Sequence, residues 1–147
     1  MSIRRLAGFT LVELVMTMVI VGIIGAFVAP RFFDVNVFQS RGFADQVQAS
    51  VRYAQKIAIA QHRFVCVTIA GNSLALTTGV TAACGTPLAS TTGDGNYVIN
   101  APGGITVSDA SFNFNALGSS SAGVTIGVSG DVTRNIVVEA ETGYVYQ

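Results

Sequence analysis

The chain has 147 residues, half of them hydrophobic, and its eight Lys plus Arg balance eight Asp plus Glu. That length holds one modest domain rather than two, and a net charge of zero offers no overall field to draw nucleic acid. No G-x-S-x-G, C-x-x-C, H-E-x-x-H or Walker glycine loop is present, so no catalytic constellation is written in the chain and no enzyme activity or cofactor is expected.

Residues 1–8, "MSIRRLAG", form a short basic leader in which Arg4 and Arg5 favour a cytoplasmic N-terminus by the positive-inside bias. Residues 9–29 follow as an apolar run interrupted by one carboxylate, Glu13. As a helix at about 1.5 Å per residue, this run matches the ~30 Å hydrocarbon core of a bilayer. It is too long for the h-region of a secretory signal, and no A-x-A site follows it before Pro30. A single pass is therefore expected, with the remainder of the chain delivered to the outer side.

Helical patterning continues over residues 30–63. Phe43, Val47, Val51, Ala54 and Ala58 recur at spacings of three and four, while Asp45, Arg52, Lys56 and Arg63 occupy polar positions. That pattern describes an amphipathic helix with one buried stripe. Phe32, Phe33, Val35, Val37 and Phe38 suit a membrane interface or a neighbouring copy, and Pro30 is expected to kink the helix without ending it.

From residue 64 to 147 the period becomes two, in the runs "FVCVTIA", "SLALTT", "YVIN", "ITVSD", "SFNFN", "VTIGVS", "NIVVEA" and "YVYQ". "GDGN", "PGG", "SGD" and "ETG" supply turns between them. A meandering antiparallel sheet follows, and its apolar face needs the stripe of residues 43–58 to cover it. The fold class is α+β: a long N-terminal helix, half in lipid and half packed on an antiparallel β-sheet.

The stretch "GFTLVE", Gly8 to Glu13, lies behind a basic leader and ahead of an apolar helix. It resembles the processing motif of type IV pilins and type II secretion pseudopilins. The resemblance implies that a prepilin peptidase cuts between Gly8 and Phe9 and methylates the new amine of Phe9. It also implies that other pilin or pseudopilin subunits and inner-membrane lipid are the partners, and that the subunit passes from the inner membrane, its C-terminal domain periplasmic, into a pilus or pseudopilus. Glu13 would pair with the Phe9 amine of a neighbouring copy and set registry, because a carboxylate costs ~2.5 to 3.5 kcal/mol when buried alone in lipid and less when paired. Tolerance of Glu13 as a snorkelling side chain is the alternative. Gly22, Gly25 and Pro30 would let the helix loosen during assembly, or would simply permit close packing as small residues do in membranes.

The later stretches "VRYAQKIAIAQHRFVCVTI", "FNFNALGSSSAGVTIGV" and "RNIVVEAETGYVYQ" look like H-type minor pseudopilins and minor pilins, in particular those of mannose-sensitive haemagglutinin type pili. The function implied is a structural, minor subunit of such a pilus. The alternatives are a minor pseudopilin of a type II secretion system or a DNA-binding minor pilin.

Cys66 and Cys84, the only cysteines, fall in the exported part, where disulfides persist. A bridge would close a loop of about nineteen residues, worth ~3 kcal/mol by chain entropy; the alternative is a buried free thiol at Cys66. Two Cys and one His are too few for a four-ligand zinc site. His62 reads as a dipole partner at a helix end, and Asp94, Asp109 and Asp131 are scattered over turns as weak calcium candidates. Arg52, Lys56 and Arg63 form a possible DNA contact, but the tail "GYVYQ" lacks a basic residue, which weighs against it. The loop from Ala82 to Asn96 could equally be solvated or contact a sugar.

Overall fold

A computed structural model describes residues 9–28, 35–91, 93 and 95–147, in two compact units, Met1–Val35 and Asn36–Gln147. The leader with Gly8, and the expected kink and helix continuity around Pro30, lie outside the described residues.

In the first unit, α1 spans Leu11–Val28. Thr10 caps it: the Thr10 Oγ1 accepts a hydrogen bond from the Glu13 N–H at 3.2 Å, which satisfies one of the orphan donors of the first turn. Glu13 sits in that turn, where a carboxylate meets the positive end of the helix dipole. Side chains from Leu11 to Ala26 are exposed on every side of the helix. Among the described residues no helix is long and apolar enough to cross a membrane. The 18 residues of α1 reach about 27 Å at 1.5 Å each, while the apolar run in the sequence extends to Ala29, beyond the described part.

In the second unit, α2 spans Val35–Gln61. The expected stripe is its buried face: Phe43, Val47, Val51, Ala54 and Ala58 are all in the core, joined by Ala44. Ser50, also buried, donates back to the Gln46 carbonyl at 2.7 Å and shares a 2.9 Å hydrogen bond with the Tyr97 hydroxyl. The helix stops at His62, which takes a left-handed φ of 49°. His62 N–H then donates to the Ile59 carbonyl and Arg63 N–H to the Ala58 carbonyl. This paired arrangement satisfies the last carbonyls of a helix and usually employs Gly or Asn, so His62 is a backbone cap.

The strands are β1 Phe64–Ala70, β2 Ser73–Gly79, β3 Thr86–Pro87, β4 Val98–Asn100, β5 Thr106–Val107, β6 Ala110–Phe114, β7 Val124–Ser129, β8 Arg134–Val138 and β9 Val145–Tyr146. They divide into two antiparallel sheets instead of one meander. The first runs β3-β2-β1-β6, with β4 sharing the outer edge of β2; the second runs β5-β7-β8-β9. Alternate residues of both point into one core, from Val65, Val67, Ile69, Leu74 and Leu76 to Ile126, Val128, Ile136 and Val138. The β1–β2 hairpin turns through Gly71 and Asn72, both at positive φ, as a two-residue turn requires. Asn72 also ties the two sheets, its Oδ1 accepting the Val107 N–H at 3.0 Å.

Cys66 and Cys84 are bridged, with Cα atoms 6.1 Å apart. The bond joins the middle of β1 to the turn after β2. Thiol labelling of the denatured, unreduced chain is expected to find no free sulfur, and two labelled cysteines would refute the bridge. The Cys66→Ala/Cys84→Ala double variant is expected to lose ~3 kcal/mol of stability through the freed loop, read as a lower urea midpoint.

Candidate functional site

Chemistry concentrates at the start of α1. Phe9 and Thr10 precede the first helical residue, Leu11, and both are exposed. Glu13 stands one turn inside, exposed among apolar neighbours, and Leu14 N–H donates to the Thr10 carbonyl to close the turn. Thr10 through Glu13 reads T-x-x-E, the signature of a capped helix start. The sequence reading passed over Thr10, although that spacing was visible. Gly22 lies within α1, and a Cβ built there would meet nothing within 4 Å.

The second unit offers a different arrangement. Arg52 donates to the Val145 carbonyl through Nε at 3.2 Å and Nη2 at 2.8 Å. Gln55 Nε2 donates to the carbonyls of Gly118, at 2.9 Å, and Thr142, at 3.0 Å. Two polar side chains of α2 therefore hold the β6–β7 loop and the β8–β9 turn against the helix. Arg52 is thereby committed to the fold, which leaves Lys56 and Arg63 of the suspected basic trio. Arg134 donates to the Gln147 Oε1 at 2.6 Å. The Tyr146 hydroxyl donates to Glu139 Oε1 at 3.3 Å, and desolvation, together with the Glu139 carboxylate, raises its pKa from the ordinary value.

Among the described residues no group of three or more His, Cys, Asp or Glu converges to hold a metal. Asp109 accepts from the Gly71 N–H at 3.3 Å, Asp131 is exposed on the β7–β8 turn, and Asp94 lies outside the described residues. One open cleft, of ≈ 240 Å³, is lined by Gln46, Ser90, Tyr97 and Ile99, among others. Another, of ≈ 380 Å³, is bounded by Arg63, Val80 and Cys84 beside the disulfide. Neither sets a nucleophile beside a base.

The family model described as the prokaryotic N-terminal methylation motif matches residues 3–29, most of the leader and all of α1. The chain is 42% identical over 57 residues to the type IV narrow pilus major component PilA5 of Thermus thermophilus, a match covering 39% of this chain and 49% of that protein. Motif and relative together support the type IV pilin family for this chain. The match spans about half the length of that curated relative. The pilin fold is seen again in crystal structures of the type IV minor pilin FimU of Pseudomonas aeruginosa. One crystal form has a TM-score of 0.57 at 16% identity, over 78% of this chain and 90% of that one. A second gives 0.55 over 72% and 90%. The prepilin motif fits a protein anchored in the inner membrane and carried to pili on the cell surface.

Proposed function

We propose that this chain is a type IV pilin, a minor structural subunit of the pilus, inserted in the inner membrane as a prepilin, cut between Gly8 and Phe9 and N-methylated on Phe9. The observation that carries the proposal is the matched motif over residues 3–29, which ends in a helix whose apolar side chains from Leu11 to Ala26 are unburied. A helix apolar on every side needs lipid or a bundle of its own kind around it, and a pilin meets each in turn. Thr10 starts the helix after Phe9, so the Phe9 amine released by cleavage would stand just ahead of the Glu13 carboxylate.

Pilus rather than secretion pseudopilus is favoured because the protein matched in sequence is itself described as a pilus component. Minor rank draws on the fold shared with a minor pilin, and the resemblance to mannose-sensitive haemagglutinin type pili draws on the C-terminal stretches. Uptake of DNA is disfavoured by the loss of Arg52 to the Val145 carbonyl, since each phosphate contact forgone weakens binding. Mass spectrometry of the full chain co-expressed with a prepilin peptidase is expected to show a protein beginning at N-methylated Phe9. An intact Met1 terminus in that sample would sink the assignment.

A further inference from the structure

The outer side of the first sheet ends in an unpaired edge. Along β4 the ladder to β2 uses alternate residues: Leu76 N–H donates to the Tyr97 carbonyl and Ala101 N–H to the Asn72 carbonyl, with Ile99 opposite Leu74 between them. The backbone polar groups of successive strand residues point to opposite sides, so those of Val98 and Asn100 face away from β2. Asn96 continues the row, since the groups bonded across its hairpin are Tyr97 N–H, to Leu88, and the Gly95 carbonyl, to Ser90. Asn96, Val98 and Asn100 are exposed. Among the described residues nothing bonds to their backbone groups on that side.

An open sheet edge is a template for another strand, and proteins commonly blunt it with charge, proline, shortness or a cover. Other edges of this chain are blunted. β3 carries Pro87, and β5 and β9 have two residues each. β6 is covered, Asn113 N–H donating to Ser121 Oγ at 3.1 Å and Ser121 N–H to the Asn113 carbonyl. The edge from Asn96 to Asn100, by contrast, has neither charge nor proline. Against it lies the cleft of ≈ 240 Å³ lined by Gln46, Ser90, Tyr97 and Ile99, among others. Tyr97 and Ile99 turn to the core face, where Tyr97 stacks on Tyr53 at 5.4 Å and its hydroxyl meets Ser50 at 2.9 Å, so that wall is fixed. Among the described residues no charged side chain lines the cleft; Asp45 adjoins Gln46 on α2 and disfavours an acidic occupant.

We propose that this edge docks an extended polypeptide segment of another protein, which joins the first sheet as an antiparallel strand beside β4. Its backbone pairs with Asn96, Val98 and Asn100, and its side chain opposite Ile99 enters the cleft, because cross-strand neighbours share a face. Strand addition takes its affinity from the backbone and its selectivity from such pockets. Free donors and acceptors two residues, or about 6.8 Å, apart match a strand and not a sugar or a lipid. The cleft agrees: ≈ 240 Å³ falls below the ~300 to 1,000 Å³ of sites that enclose a small molecule and suits one uncharged side chain. A second copy leaves the cleft empty. In any register that pairs β4 with β4, the residue opposite Ile99 is Tyr97, Ile99 or Ala101, each already packed on its own core.

The probe is a set of fluorescent strand peptides, KTVTXTVTK, with X drawn from the uncharged residues, added to the full chain in detergent micelles. At least one member is expected to bind, and in its presence amide exchange at Asn96, Val98 and Asn100 should slow at least tenfold. Methylating the backbone nitrogens of the two threonines that flank X, whose N–H groups face β4, should weaken binding at least tenfold. Methylating X, whose N–H faces away, should not. Val98→Pro removes an outward N–H and leaves the ladder to β2 intact, so it should cost as much as the threonine methylation, and so should Glu at X. Binding indifferent to threonine methylation, binding by no member, or full binding by a folded Val98→Pro chain overturns the proposal. Protection of the three amides in the chain alone, lost on dilution, gives the edge to a second copy and overturns it too. None of these readouts depends on cleavage after Gly8, so a failure here leaves the pilin reading standing.

Discussion

Gly143→Ala is expected to be the most destabilising single-methyl change in the second unit, by ~3 kcal/mol or more, a size reserved for overpacking and backbone strain. The reason is the company Gly143 keeps. Its φ is +64°, and a Cβ there would collide with the Gly118 carbonyl oxygen, stand 2.7 Å from Gln55 Nε2 and press on the Phe114 ring at 3.1 Å. The first contact is with backbone, so the β8–β9 turn must lift away from the β6–β7 loop. Lifting it also pulls on the Gln55 hydrogen bonds to Gly118, which is part-buried, and to Thr142, which is exposed; a typical hydrogen bond contributes about 0.5 to 1.5 kcal/mol net.

Two control positions separate strain from collision. Gly71 also has a positive φ, +57°, but a Cβ there meets nothing within 4 Å, so Gly71→Ala should cost only ~1 kcal/mol. Gly85 has neither the left-handed φ nor a neighbour within 4 Å, and Gly85→Ala should be near neutral. Thermal unfolding of the three variants reads the order directly, since 1 kcal/mol moves the Tm of a unit this size by roughly 4 °C. If Gly143→Ala melts within a few degrees of Gly71→Ala, the two turns do not meet as described.

That junction was also the part of the fold least legible in the sequence. The buried stripe of α2 could be read residue by residue because Phe43, Val47, Val51, Ala54 and Ala58 obey one period. The runs that became β1, β2, β7 and β8 alternate cleanly, which a half-buried strand must do. Division into two sheets was not legible, because pairing partners such as Cys66 with Asn113 are set by core geometry rather than by local pattern. β3 escaped because it has two residues, one of them Pro87, and Pro belongs to strand edges. The roles of Arg52 and Gln55 escaped for a related reason: a charge or amide on a polar face looks solvated until the carbonyl it reaches, dozens of residues away, is placed. The N-terminal motif was legible because it is local, Phe9 and Glu13 lying within about one helical turn of each other, although the Thr10 cap between them was passed over.

Glu13→Ala is expected to separate membrane insertion from assembly. In the lone subunit, removing the carboxylate relieves a lipid-buried charge that costs ~2.5 to 3.5 kcal/mol, against the ~0.3 to 1 kcal/mol that an acidic residue returns to the first turn of a helix. Thr10 continues to cap α1, since its partner is the backbone N–H of residue 13 and not the side chain. The variant should therefore insert at least as well as the natural chain and still be cut after Gly8. In the assembled state the signs reverse. If the Glu13 carboxylate meets the Phe9 amine of a neighbour, its loss leaves an uncompensated buried cation, a defect of ~3 to 5 kcal/mol, which is more than a hundredfold in an equilibrium constant. Processed protein should accumulate in the inner membrane and be depleted from sheared filaments. Glu13→Gln sharpens the test, because it keeps the length and hydrogen-bonding capacity of the side chain and removes only the charge. If the charge is what matters, Gln should fail as Ala does. Counting tagged subunits per fibre together with fibres per cell resolves where the defect acts, since an initiating subunit lowers the second number and an interior one lowers the first. Incorporation of Glu13→Ala at the natural level would show that Glu13 is tolerated in the membrane and does not set registry.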